Sequence, residues 1–381
     1  MALVKYFHSE LPNAPVLSGT AGSRIAVLDA CLVSGWGLLT ATAASVTAGV
    51  CTLTFATTHS FEPLSVALIA GAGPAAVNGE QRITATSTNT ISFGVSGVAD
   101  GAVSGTITAK LAPAGWVKLA GTNKAAYKSG NPSASQCWAR IDDSAARYAR
   151  LRAFETMSDV DTGVGPTPTD AQISGGLYIA TSSSSDTVAR KWIVVADDKR
   201  VWLLVARHHS YPNDYEASFF GDFLSLKAGD AYNFAVVAET ADQSTSGNVG
   251  TGAPTQIDAT TGIYIVRSYP QVGGSILASL RKPGMSLQSG SPSLPLGPNP
   301  INNGIEVCPT LLFEQTGTAA NRRGELPGLF GIPHSLGAAY DSKTLVGGVA
   351  GLPGHSLVFV RYQSSAAGNG YRYAMDLGPW E

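Results

Sequence analysis

The chain has 381 residues and a formal net charge of −2, and only 14% of its residues are charged, against about a quarter in an ordinary soluble domain. No run of Lys and Arg exceeds two residues, so the basic footprint that a phosphate backbone requires is missing and nucleic acid is not expected as a partner. The longest apolar run, 66–77, is interrupted by Gly71, Gly73 and Pro74 and is too short to span a bilayer, so membrane insertion is not expected either. Residues 1–8 lack the apolar core of a signal peptide, which points to synthesis in a cytoplasm. With 43 Gly and 21 Pro, turns are frequent and long helices are not expected. The surface is left to Ser, Thr, Asn, Gln and Gly, whose uncharged groups desolvate at far lower cost than charges. Such a surface suits permanent contact with other protein chains.

Segment 1–21 reads as extended, with Pro12 and Pro15 discouraging helix. Residues 23–33 predict a short helix: Ser23 stands as N-cap, Ile25, Leu28 and Leu32 share one face, and Gly35 supplies the stop. From residue 38 to 111 the apolar period changes to two. Stretches 50–55, 83–86, 90–95 and 105–110 alternate, and Thr47-Ala48-Gly49, Asn78-Gly79 and Asp100-Gly101 are turn chemistry. Short strands at this spacing predict a small sandwich or barrel of immunoglobulin-like size. Pro113-Ala114-Gly115-Trp116 marks a boundary. The expected division is therefore 1–37, an arm and helix; 38–112, a small β domain; and 113–381, a larger antiparallel β-sandwich-like domain.

Within that larger domain, strands are expected at 136–141, 147–156, 176–180, 232–238, 263–268, 307–313 and 356–362, while 219–226 reads as a strand or a short turn of helix. Segment 240–259 reads as a loop. The proline-rich stretch 284–303 reads as an extended arm. The clearest element is 191–207, where two continuously apolar runs, Ile193-Val194-Val195 and Leu203-Leu204-Val205, flank Asp197-Asp198-Lys199-Arg200. This is a hairpin whose arms lack alternation, so both of its faces are expected to be covered, with Trp192 and Trp202 as core anchors. Segments 1–21 and 284–303 carry apolar side chains without periodicity and are expected to dock on other chains. Cys31, Cys51, Cys137 and Cys308 have no paired spacing and read as buried free thiols.

The segments Pro15-Val16-Leu17-Ser18-Gly19-Thr20-Ala21-Gly22-Ser23, Val27-Leu28-Asp29-Ala30-Cys31-Leu32-Val33-Ser34-Gly35, Gly115-Trp116-Val117-Lys118 with Gly121-Thr122-Asn123-Lys124-Ala125-Ala126-Tyr127, and Arg323-Gly324-Glu325-Leu326-Pro327-Gly328-Leu329 resemble a family of tailed-bacteriophage virion proteins. The resemblance runs over essentially the whole chain. It implies a structural component of the tail or baseplate, made in the host cytoplasm and carried in the virion. Its partners would be copies of itself and other tail or baseplate proteins. It supplies no catalytic residue.

Five places look like chemistry. Gly71-Ala72-Gly73-Pro74-Ala75-Ala76 matches the dinucleotide fingerprint, but a period-two strand follows where a helix must open, so it reads as a β-turn. Gly354-His355-Ser356-Leu357-Val358 approaches the esterase elbow, with Val at the last position and a strand after it. Asp159, Asp161 and Asp170 are spaced like calcium ligands, yet Gly163 and Val164 occupy the next required positions; Asx turns are the better reading. His208-His209 stand on adjacent strand positions, which face opposite sides and do not share one metal. Tyr211, Tyr215 and Phe219 lie on one loop and are the aromatic candidates for binding a host receptor or glycan, the alternative function; otherwise they are core. The 27 acids offer no carboxylate pair for glycoside hydrolysis. No catalytic residue, metal site or cofactor is expected.

Overall fold

The hairpin at 191–207 forms and organises the body of the molecule. In a computed structural model, which describes residues 3–242, 254, 258–283, 301, 304–316, 319–333, 343–347, 352–362 and 371–380, Lys191–Ala196 pairs antiparallel with Arg200–Ala206. The turn between them is closed by Asp197, whose carboxylate accepts the Lys199 amide at 2.8 Å and the Arg200 guanidinium at 2.9 Å. From this hairpin an antiparallel sheet extends through Glu216–Asp222, Phe234–Val237 and Ile263–Ile265. It then continues through Ile276–Arg281, Cys308–Thr316, Ala319–Gly331, Tyr371–Asp376, Ser356–Tyr362 and Leu345–Gly347.

Both faces of the hairpin are covered, as its unbroken apolar runs predict. Trp192, Val194, Val201, Leu203 and Val205 face one core, while Ile193, Val195, Trp202 and Leu204 face the other. The two tryptophans therefore anchor opposite cores. The second core is closed by the far half of the same sheet, through Leu312, Leu326, Val358, Tyr373 and Met375; this is the sandwich. The first core is closed by a third layer, an antiparallel sheet in the order Leu177–Ala180, Tyr148–Phe154, Trp138–Asp142, Lys124–Ser129, Trp116–Gly121. The last two strands form a hairpin that the sequence reading leaves out. Lys124-Ala125-Ala126 has weak strand propensity, and burial of Ala125, Ala126 and Tyr127 decides it instead.

Residues 39–111 fold as a barrel. Leu39–Thr47, Val50–Phe55, Thr90–Gly94, Gly79–Thr86, Val66–Ala70 and Thr108–Leu111 pair in that order, and the last pairs back with the first. A seventh short strand, Gly101–Ala102, adds to Leu39–Thr47. Alternation places Cys51, Leu53, Phe55, Ile83, Ile91 and Phe93 inside. Register shifts at Ala41/Ala43 and Ile83/Ala85 supply the bends that closure needs. The turn Ala48-Gly49 has positive φ at both residues (49° and 75°), the conformation of a two-residue hairpin turn.

Two expectations are corrected. Segment 1–21 does not stand out as a docking arm: Lys5–His8 pairs with Lys191–Ala196 as the edge strand of the central sheet, and Val4, Tyr6, Phe7, Leu11 and Leu17 are buried in this chain. The unpaired edge of the hairpin offers a ladder, and Tyr6 and Phe7 feed one core each. The helix is Ser23–Asp29, continued by a π-helical turn over Ala30–Ser34 and ended at Gly35 (φ 64°) as expected. Ser23 is not its cap. Gly22 (φ 81°) takes that position; the Ser23 hydroxyl donates to the Ser18 carbonyl at 2.9 Å, and the Arg24 amide donates to the distant Asp143 carboxylate at 2.8 Å. The stretch 284–303, including Leu287, Leu294 and Leu296, lies outside the described residues except for Ile301, as does most of 240–259. Among the described residues no helix is long and apolar enough to cross a membrane.

Candidate functional site

The motifs singled out in the sequence fall in separate places. Gly71 (φ 83°) opens a tight turn against the Thr106 carbonyl. The space a phosphate would need is bridged by the Asn78 side chain, which accepts from the Ala72 amide at 2.9 Å and donates to its carbonyl at 2.8 Å. His355 Nδ1 lies 2.8 Å from the buried Asp376 carboxylate, which also accepts the Gly378 amide at 2.9 Å. Ser356 makes no hydrogen bond to this pair among the described residues, and the pair fastens the turn at 376–378. Asp161 pairs with Lys124 and Arg140, Asp170 with Arg152, and Asp159 caps its own loop through the Asp161 amide. Arginine and lysine thus occupy two of the three carboxylates that calcium would use, Asp161 and Asp170. Hydrogen bonds and Arg152 hold Asp170 down to about 2. No group of three or more His, Cys, Asp or Glu among the described residues is placed to hold a metal ion. All four cysteines are buried and free.

The expectation for His208 and His209 is corrected. They lie past the end of strand Arg200–Ala206, in a turn, so strand alternation does not separate them: their rings stack at 5.2 Å, with Tyr211 5.0 Å from His208. Burial, then the neighbouring His209, Arg190 and Arg207, lower the His208 pKa. Of the three loop aromatics, Tyr211 is exposed, whereas Tyr215 and Phe219 belong to the second core.

What the sequence reading misses is a cleft between the third layer and the central sheet. It consists of two adjoining hollows of about 640 and 460 Å³ that share Ser135, Gln136 and Ala231. The connection 130–137, the turn of the central hairpin and the loop 223–233 build its walls. Each carboxylate in it is anchored. Asp222 accepts the Ser135 amide at 3.0 Å and hydroxyl at 2.6 Å, and burial pushes it up to about 6. Asp230 takes the Ser225 hydroxyl at 2.7 Å and the Arg323 guanidinium at 2.5 Å. Glu155 receives Arg267 through two bonds of 2.7 and 2.6 Å, and that guanidinium lies 4.0 Å over the Tyr232 ring. Gln136, where the hollows meet, has φ 63°, and Gln271, which donates to Asp230, has φ 64°. Left-handed backbone costs a non-glycine residue about 1–2 kcal/mol, and such strain gathers at functional sites.

The tryptophans separate this cleft from the rest of the molecule. Five of the six donate their indole N–H to a backbone carbonyl: Trp36 to Pro12, Trp116 to Asp197, Trp192 to Pro15, Trp202 to Pro327 and Trp380 to Asp376. Trp138 is half-buried, lines the smaller hollow and donates to nothing among the described residues. Its register partner Lys128 places an ammonium 5.1 Å over its ring. The Tyr232 hydroxyl and the Lys199 ammonium likewise make no hydrogen bond among the described residues, and both line the cleft.

No family model and no curated protein matches the chain. Among solved structures it is similar to a phage phi92 endosialidase, with a TM-score of 0.17 and 8% identity, over 90% of this chain and 52% of that one. The chain thus spans about half the length of that protein, and a likeness of this size carries no argument about activity.

Proposed function

We propose that the chain is a structural component of a tailed-bacteriophage virion, in the tail or baseplate, acting by multi-copy assembly with itself and other tail proteins. Beside the sequence resemblance, one observation carries this reading: the free face of the barrel has no unattached charge. Residues 38–112 contain five charged side chains, and each is tied within the chain. Glu62 pairs with His8, Glu80 with Lys5, Arg82 donates to the Leu64 and Leu377 carbonyls, Lys110 donates to the Ser34 carbonyl, and Asp100 accepts the Ala48 amide. The outward side is exposed Thr40, Thr42, Ala43, Ser45, Thr47 and Thr84. Hydroxyls of this kind desolvate at modest cost against another chain. The test is mass photometry of the purified chain together with a structure of the intact particle. Ordered multimers with the barrel at an interface are expected. A chain that stays monomeric at high concentration and is absent from the particle would sink the reading.

The second reading, a tail protein that binds a host receptor or surface glycan, is favoured by the cleft. Half-buried Trp138 and Tyr232 stand in it, and their N–H and O–H make no hydrogen bond among the described residues.

A further inference from the structure

We infer that the cleft around Trp138 and Tyr232 is a binding site for an uncharged oligosaccharide of pyranose rings, an inference that rests on the second reading above. A tryptophan that is buried only as packing normally satisfies its indole N–H, because leaving a desolvated donor unpaired carries the full desolvation penalty. Five tryptophans do so, whereas the Trp138 N–H makes no hydrogen bond among the described residues and is not sealed away from solvent. Trp138 lines a hollow. There the indole offers an apolar surface and one outward donor, the combination that a sugar ring meets with its C–H face and its hydroxyls.

Charge selects among ligands that stack on aromatic rings. Lys128, Lys199, Arg200 and Lys227 line the two hollows, and so do Glu155, Asp222 and Asp230. The near balance disfavours a polyanion such as a nucleic acid or a sulfated chain, which calls for cations with few carboxylates nearby. Asp222 and Glu155 are fixed by Ser135 and Arg267 and retain lone pairs that accept from hydroxyls, whereas Asp230 is already filled by Ser225, Arg323, Tyr232 and Gln271. A fixed acceptor adds specificity because an analogue lacking the hydroxyl leaves it unpaired. Each hollow, at about 640 and 460 Å³, is in the size range of a small-molecule site. The strained Gln136 at their junction sets the shape that joins them.

The experiment uses the full chain labelled with ¹⁵N at the indole nitrogens, which gives one signal per tryptophan, with Trp138 assigned by Trp138→Phe. The probes are cello-, chito- and maltotetraose, a sulfated tetrasaccharide and a dinucleotide. The expected result is that one neutral tetrasaccharide shifts the Trp138 signal and leaves the other five in place. Tyr232→Ala should then weaken that binding about tenfold or more, with the other five signals unmoved as evidence of an intact fold. A Trp138 signal that no neutral saccharide moves, or that only the sulfated chain or the dinucleotide moves, overturns the site. An immobilised saccharide panel separates the two levels. Capture of the chain with Trp138 unmoved leaves glycan binding standing and removes this cleft from it, whereas capture by nothing removes both.

Discussion

The barrel and the central sheet bury comparable side chains by opposite means. In the barrel, one face of each strand is apolar and the other is Thr, Ser and Ala, and closure satisfies the backbone within its own strands. Its few charges sit in turns or at the seam with the body, where Glu62 meets His8 and Glu80 meets Lys5 at 2.8 and 2.7 Å. The central sheet is covered on both sides, and the polar groups at its ends are sealed in with it. Arg24, Asp143, Arg207, Glu216 and Arg323 are all at most 6% exposed. Local pattern holds the barrel; contacts between distant segments hold the body. The difference teaches where sensitivity to pH and to single substitutions should lie.

The largest effect is expected from Trp202→Ala. The ring is fully buried, packs on Phe219 at 4.8 Å and donates to the Pro327 carbonyl, 125 residues away. Loss of about 4 kcal/mol in urea unfolding is expected, and a loss below about 1 kcal/mol would show that the second core does not depend on its anchor. Next comes Phe93→Ala inside the barrel, at about 3–4 kcal/mol. We propose that 38–112 is a cooperative unit, so hydrogen exchange should speed up there and not at strand Lys191–Ala196. One hydrophobic cluster runs from the barrel to that strand, so equal loss of protection in both would establish a single unit instead.

A third effect sharpens the electrostatic contrast. Burial, opposed by Arg207 and then Arg24, pushes Glu216 up to about 7, and burial raises Asp143 and Asp222 to about 6. A carboxylate with a raised folded-state pKa binds its proton more tightly in the native state. Its contribution is full below the unfolded value and is lost as pH rises through the folded one. Stability should therefore fall from pH 5 to pH 7, by about 2–3 kcal/mol from Glu216 alone. Glu216→Gln should flatten that slope while lowering stability at pH 7, because Arg207 loses its counter-charge. A slope unchanged in the variant would clear Glu216 of the role. The smallest effect belongs to the barrel turn: Ala48→Asn puts a residue that tolerates φ of 49° at a strained position. A gain of about 0.5 kcal/mol is expected in thermal unfolding; a loss would mean that the Asp100 contact to the Ala48 amide outweighs the backbone.

The barrel was legible because its strands have one wet face, and alternation survives in the sequence wherever water touches alternate residues. The hairpin at 191–207 was legible for the converse reason, since its unbroken apolar runs announce two covered faces. The Lys124–Ser129 strand and the Lys5–His8 edge strand left weaker traces. Alanine and lysine carry little strand propensity, and an edge strand is chosen by the ladder it completes. The cleft left almost none. Trp138 looks like the other tryptophans in composition, and its own strand was expected at 136–141, but the strand Lys124–Ser129 that sets Lys128 opposite it escaped the pattern.

Composition and periodicity by themselves determined the β class, a small sandwich or barrel after the helix, the doubly covered hairpin and the sparse charge of the surface. These follow from interactions between near neighbours and from the period of burial, which a linear sequence records directly. Tertiary structure alone decided that segment 1–21 closes this chain's own sheet, that Asp143 caps a helix 119 residues away, and that one indole among six faces an open hollow. Each of these depends on which distant groups meet, and the pairing of a donor with an acceptor far along the chain leaves no period in the sequence to read.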